Sequence, residues 1–137
     1  MAEKVAFELV APERVLASEE VDMVVVPGAE GDFGVLPLHA PLVSLVRPGV
    51  VRVFEGDRVV RRLFVAGGFA SVDEKGVTLL VEGAEPVEAI DLEEARRRLR
   101  DLEEDLEDAK TEAERRRLER LVAVARARVE AAERPDL

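Results

Sequence analysis

The chain has 137 residues, is 47% apolar and 36% charged, and has a formal net charge of −10, totals that exclude both a disordered chain and a membrane-embedded one. Its length suits one ordinary domain or two small ones, enough to bury about two thirds of the surface. With no cysteine there is no disulfide framework, zinc–thiolate site or thiol nucleophile, and the acidic balance with five Phe, no Tyr and no Trp argues against nucleic-acid binding and adsorption to anionic lipid.

The N-terminus "MAEKVAFELV" lacks the basic start, apolar block and small-residue cleavage site of a signal peptide, and no apolar run reaches about 18 residues. This predicts a chain that stays where it is made and inserts no segment into lipid. From Lys4 to about Val87 short runs rich in Val, Leu and Phe are broken by Gly, Pro and Asp: "VAFELV", "DMVVVPG", "LVSLVRPG", "GVVRVFEGD", "VVRRLFVAGG", "FASVDEKG", "VTLLVEGAEPV". Turn signals at roughly eight to twelve residues predict many short strands and an antiparallel β-sandwich or barrel. In "VVRVFEG", Val51, Val53 and Glu55 oppose Arg52 and Phe54, whereas "VTLLVE" is apolar on both faces. A continuous run is covered on both sides or lies against a partner.

Within the strand region "GAEGDFGVLPLHAPL", Gly28 to Leu42, holds the protein's single histidine, His39. No cysteine, second histidine or Gly-x-Ser-x-Gly accompanies it, so neither a triad nor a metal site assembles around it. "GAEGDFG" and "GGF" match neither glycine-rich phosphate motif and read as turns or bulges. Glu30, Asp32 and Glu55 sit in turn contexts where acids are ordinary, so the residues contain no convincing active site and the protein reads as non-catalytic, with no cofactor.

After Ile90 the composition changes: glycine disappears and 27 of the last 47 residues are charged, 15 acidic and 12 basic. Apolar residues at Leu92, Ala95, Leu99, Leu102, Leu106 and Ala109 alternate three and four apart, one narrow helical stripe. Leu118, Leu121, Ala125, Val129 and Ala132 repeat it. Asp91 with Glu94, and Thr111 with Glu114, match the capping box, so two helices, about 91–108 and 112–133, fold back as a hairpin. Folding about residue 110 sets the acidic Asp101–Asp108 opposite the basic run Glu114–Arg120, and a stripe buried only by its mate predicts a weakly held module. The expected fold is α+β in two parts, an N-terminal antiparallel β-sandwich (1–88) followed by a C-terminal antiparallel two-helix hairpin (89–137).

In this context the residues resemble the epsilon subunit of F-type ATP synthases, called delta in mitochondria. The likeness lies in "VPGAEGDFGVLPLHAPLVSLVRPGVVRV" (Val26 to Val53), "FVAGGFASV" (Phe64 to Val72), "VTLLVEGAE" (Val77 to Glu85) and "IDLEEA" (Ile90 to Ala95), in register over nearly the whole sequence. The resemblance implies a peripheral central-stalk subunit on the cytoplasmic face of a bacterial inner membrane, whose sandwich clamps the gamma subunit to the c-subunit ring of a proton-translocating motor. By position, Glu30, Gly31, Asp32 and His39 become candidates for c-ring contact, with Asp32 meeting a basic loop residue and His39 beside it. Leu38 occupies a position where the family frequently has glycine.

Many bacterial members also use the hairpin as a switch, folded on the sandwich or extended along gamma to block ATP hydrolysis, and some bind ATP through Ile-Asp-x-x-Arg-Ala. Here Asp91 and Ala95 are kept but Glu94 replaces the arginine, and Asp101 adds a further acid, so weak or absent ATP binding is expected. Arg96, Arg97, Arg98, Arg115, Arg116 and Arg117 serve either contacts with the alpha and beta subunits in the extended state or the hairpin's own pairing. The rival readings are a free-standing sandwich and coiled-coil adaptor, and a small hydrolase using His39 with Asp32.

Overall fold

The computed structural model describes residues 3–137. Ten strands come first: β1 (Val5–Ala11), β2 (Arg14–Val21), β3 (Met23–Gly28), β4 (Gly31–Val35), β5 (Leu42–Val46), β6 (Gly49–Glu55), β7 (Arg58–Val65), β8 (Gly68–Val72), β9 (Gly76–Val81) and β10 (Ala84–Pro86). A short 3-10 turn, Val87–Ala89, leads into α1 (Leu92–Glu107) and α2 (Glu112–Glu133).

Hydrogen-bonded neighbours run β10-β7-β6-β3-β5-β8-β9-β1-β2, with β4 on the other side of β3. β3 meets β6 through Met23–Val25 but β5 only through the Gly28–Val46 pair, so the sheet turns over at the end of β3. Two layers result, β10-β7-β6-β3-β4 and β5-β8-β9-β1-β2, the facing sheets of a sandwich. One ladder departs from the expected antiparallel pattern: β1 lies parallel to β9, from Ala6 beside Gly76 to Val10 beside Leu80. A parallel pair requires a long crossover, and everything between the two strands supplies it.

Alternation explains the core. Val5, Phe7 and Leu9 of β1 point inward with Val77, Leu79 and Val81 of β9, and meet Val24, Val26, Val51, Val53 and Val65 from the other layer. Two glycines are forced by close approach. A Cβ on Gly68, whose φ is +152°, would lie 2.0 Å from the Leu80 carbonyl oxygen, and one on Gly76 would lie 2.0 Å from that of Ala6.

Both helices begin as their caps predict: Asp91 accepts a hydrogen bond from the Glu94 amide and Thr111 from the Glu114 amide, each at 3.1 Å. Leu102, Leu118, Val122 and Ala125 form the seam between them. Val122 and Ala131 are buried where the spacing pointed to Leu121 and Ala132, which are only partly covered. The difference has one cause, because the hairpin is not buried by its mate alone. Ala95, Val129 and Ala131 pack on Phe64, Val87 and Ile90, so the far end of α2 turns toward the sandwich as well as toward α1.

The charge pairing also differs from the expected register. Between the helices the ion pairs are Arg126 with Glu103 (3.2 Å), Arg96 with Glu133 (2.9 Å) and Arg128 with Glu94 (2.7 Å), none of them joining 101–108 to 114–120. The pairs at Arg96 and Arg126 are exposed and worth only about a few tenths of a kcal/mol each, the scale of surface ion pairs, so the charges follow the packing of the apolar seam and do not set it. Arg115 and Arg116 instead pair with Glu112 on their own helix.

Candidate functional site

The β3–β4 hairpin closes with Gly28 opposite Gly31, leaving Ala29 and Glu30 as its two-residue tip. Gly31 adopts φ +137°, a value that favours glycine, and a Cβ at Gly28 would come within 2.7 Å of the Gly31 carbonyl oxygen. Glu30 and Gly31 are exposed. Asp32 is turned along the strand to Arg47, with Oδ1 2.6 Å from Nη2, and to Arg52, with Oδ2 3.6 Å from Nη2. The carboxylate expected to meet a foreign cation thus has two of the protein's own.

His39 lies in the loop between β4 and β5, at the opposite end of β4 from Asp32, and about 15 Å of extended backbone separates the two ends. Its Nδ1 is 2.6 Å from the Ala40 carbonyl oxygen. The topology therefore does not bring His39 beside the tip, nor form the acid–base pair a hydrolase would use. Next to it Leu38 has φ +63°, a left-handed conformation that costs a leucine about 1–2 kcal/mol and that glycine adopts freely. Leu38 is 64% exposed, so the protein's own core gives nothing back for that strain.

An apolar band lies on the outside of one layer. Register places Leu45 opposite Phe69, Phe69 opposite Leu80, Leu80 beside Val10 and Val10 opposite Val15, one row across β5, β8, β9, β1 and β2. Leu45, Phe69, Leu80 and Val15 are each more than half exposed, and Val43, on the same face of β5, is 75% exposed. Leu36, Leu38 and Leu42 extend exposed apolar surface toward the β4–β5 loop. Scattered apolar residues on a surface are ordinary, but a row in register is not.

At the start of α1 the acid at position 94 is occupied. Arg128 of α2 reaches Glu94 at 2.7 Å and Glu85 of β10 at 3.1 Å. Burial works against the guanidinium's charge, but the hydrogen bonds it donates to Glu94 and Glu85 outweigh it and its pKa is raised. Asp91 is spent on the helix cap and Ala95 is buried beneath it, while Asp101 is exposed further along α1. Of the six arginines singled out above, Arg96, Arg115 and Arg116 are ion-paired within the hairpin; Arg97, Arg98 and Arg117 make no ion pair among the described residues.

Arg47, Arg128 and Glu85 were not anticipated from sequence, and of the apolar row only the β9 run "VTLLVE", with Leu80, was. Arg47 left one signal: it is the only charged residue between Asp32 and Arg52, in a stretch otherwise apolar or turn-forming.

Residues 4–87 match the family model described as ATP synthase, Delta/Epsilon chain, beta-sandwich domain, and residues 91–135 match the model for the C-terminal domain of the ATP synthase epsilon chain. The ATP synthase epsilon chain of Paramagnetospirillum magneticum is 51% identical over 127 residues, spanning 93% of this protein and 96% of the relative. That of Rhodospirillum rubrum is 50% identical over 127 residues, spanning 93% and 95%. Among solved structures, a subunit of the Euglena gracilis mitochondrial ATP synthase, OSCP/F1/c-ring, superposes with TM-score 0.82 and 26% identity over 97% of this protein and 83% of that one. A subunit of the Tetrahymena thermophila mitochondrial ATP synthase central stalk and c-ring shares the fold at TM-score 0.64 and 14% identity, over 95% and 97%.

Proposed function

The chain belongs to the ATP synthase epsilon-chain family, and from that premise we propose that it clamps the gamma subunit to the c-subunit ring in the central stalk of a proton-translocating enzyme. The role is mechanical and non-catalytic. It is exercised as a peripheral subunit on the cytoplasmic face of a bacterial inner membrane.

The apolar row Leu45, Phe69, Leu80, Val10 and Val15 carries this reading. A stable clamp needs a large complementary surface with an apolar centre, and the row offers one across five strands. Leu38, held exposed in a strained conformation beside Leu36 and Leu42, fits the same use, since strain without internal return points to a partner. His39 shares this loop and on our reading serves the gamma side of the joint. The ring side is the β3–β4 tip, where Glu30, Gly31 and Asp32 form an acidic corner.

The deciding experiment uses the absence of cysteine: Phe69→Cys and Glu30→Cys are introduced singly into the assembled synthase and cross-linked. Products with gamma from the first site and with c subunits from the second support the clamp. A free-standing adaptor would give neither.

For the hairpin, the observation that bears on ATP is the Glu94–Arg128 pair. It neutralises a basic side chain that reaches the family's nucleotide motif, and an acid stands where that motif has arginine. Weak or absent ATP binding follows, and titration of the isolated subunit with ATP tests it. Arg96, Arg97, Arg98, Arg115, Arg116 and Arg117 are the hairpin's candidates for contact with alpha and beta, and Arg97, Arg98 and Arg117 would meet them without first giving up an ion pair among the described residues. Truncation after Ala89 should raise ATP hydrolysis by the assembled complex if such contacts inhibit; unchanged hydrolysis would remove that role.

A further inference from the structure

The acid expected to meet the ring, Asp32, is already engaged. Both its carboxylate oxygens face guanidinium groups of the same protein, Oδ1 toward Arg47 and Oδ2 toward Arg52. Arg47 does more than balance a charge. Its Nη1 donates to the Gly28 carbonyl oxygen at 2.6 Å while Nη2 donates to Asp32 at 2.6 Å, so one side chain grips the strand entering the tip and the strand leaving it. Its backbone amide donates to the Pro27 carbonyl oxygen, and the Ala29 amide donates to that of Leu45, each at 2.9 Å. The tip is thereby fastened to the end of β5 by two backbone bonds and one forked side chain.

We propose that Arg47 is the positioning residue of the β3–β4 tip, and that by engaging Asp32 it leaves Glu30 as the acid the tip offers to a basic or polar loop. This rests on the reading of the tip as the ring contact. A planar, two-pronged donor suits the task, because it fixes direction as well as distance. Glu30, exposed and without an ion pair among the described residues, stands at the turn itself, where a carboxylate reaches a neighbour without first surrendering an internal bond.

The test is a mutant cycle in the assembled synthase with Arg47→Met, Asp32→Asn, both together, Glu30→Gln and Arg47→Lys. ATP-driven proton pumping per ATP hydrolysed is read alongside amide exchange of Ala29, Glu30 and Gly31 in the full-length subunit. Arg47→Met and Asp32→Asn should each speed exchange at the tip about tenfold, the scale of one charge-assisted hydrogen bond. The double variant should pump no worse than either single one, and Arg47→Lys should recover part of both losses. Glu30→Gln should lower pumping and leave exchange unchanged. Losses that add in the double variant, or a silent Glu30→Gln beside a damaging Asp32→Asn, would make Asp32 the contact and overturn the proposal. Pumping indifferent to every variant, with exchange still altered, would sink the ring-contact reading and the assignment to Glu30 with it, while the grip of Arg47 would stand.

Discussion

Arg128 of α2 bonds Glu94 of α1 at 2.7 Å, and the same guanidinium holds Glu85 of β10 at 3.1 Å. One side chain, about a quarter exposed, therefore joins both helices to the sandwich. Around it the apolar contacts of Val129 and Ala131 with Phe64, Val87 and Ile90 supply area, while Arg128 supplies direction.

Replacing Arg128 with Met keeps most of the apolar stem but leaves two partly covered carboxylates facing each other. The expected cost is about 1–3 kcal/mol, concentrated in docking of the hairpin. Amide exchange along α1 should rise while that of β1 and β9 stays unchanged. Equal loosening of helices and core strands would show that Arg128 supports the whole fold and not the joint.

Changes on the outer apolar row should separate binding from folding. Phe69→Asp and Leu80→Asp replace side chains already more than half in water, so each should alter stability by only about 0.5 kcal/mol. Retention of gamma on the purified subunit should fall by more than about tenfold for each, since a charge would then be buried in the interface. A variant that melts early would assign the row to stability instead.

At Gly68 the backbone leaves no alternative. Gly68→Ala would place a methyl group 2.0 Å from the Leu80 carbonyl oxygen in a conformation that alanine avoids, and a loss of more than about 3 kcal/mol is expected in urea unfolding. Gly83→Ala is the control, because nothing lies within 4 Å of its added carbon. Similar midpoints for the two variants would contradict the register at β8 and β9.

On the acid side the pH dependence has one identified contributor. The hydrogen bond from Lys4, with that of the Gly56 amide, holds the Asp22 carboxyl below its ordinary value of 3.8. A depressed carboxyl stabilises the fold above its unfolded value, and this contribution is lost as pH falls through the lower, folded one. Asp22→Asn should thus be less stable than the parent at pH 7, with the gap closing below about pH 4. Acid titrations followed by circular dichroism check the sign; a gap that widens on acidification would refute it.

Local patterns carried the helices. The three-and-four spacing, the caps at Asp91 and Thr111 and the turn signals between strands are short-range features, and they appear where the residues put them. Relations between distant residues were hidden. The Asp32–Arg47 grip spans fifteen positions, and the charge register of the hairpin follows the packing of its two helices on each other and on the sandwich. The run "VTLLVE" marks Leu80 as surplus apolar surface, but the row becomes visible only when five strands take their neighbours, since Val15, Leu45 and Phe69 look unremarkable in their own segments. Leu38 shows a middle case: a position the family often fills with glycine is held here in a glycine-like conformation by a leucine.

The parallel pairing of β1 with β9 also bears on biosynthesis. β1 leaves the ribosome before the other nine strands, and β2 can cover one of its edges at once, but the other edge waits for residues 76–80. Until then the nascent polypeptide bears an open strand with Val5, Phe7 and Leu9 on one face, a template for pairing with other polypeptides. Synthesis of β9 closes that edge and β10 then completes the other layer, so a ribosome stalled before Gly76 would release a sticky fragment, and one stalled after Pro86 a polypeptide with all ten strands.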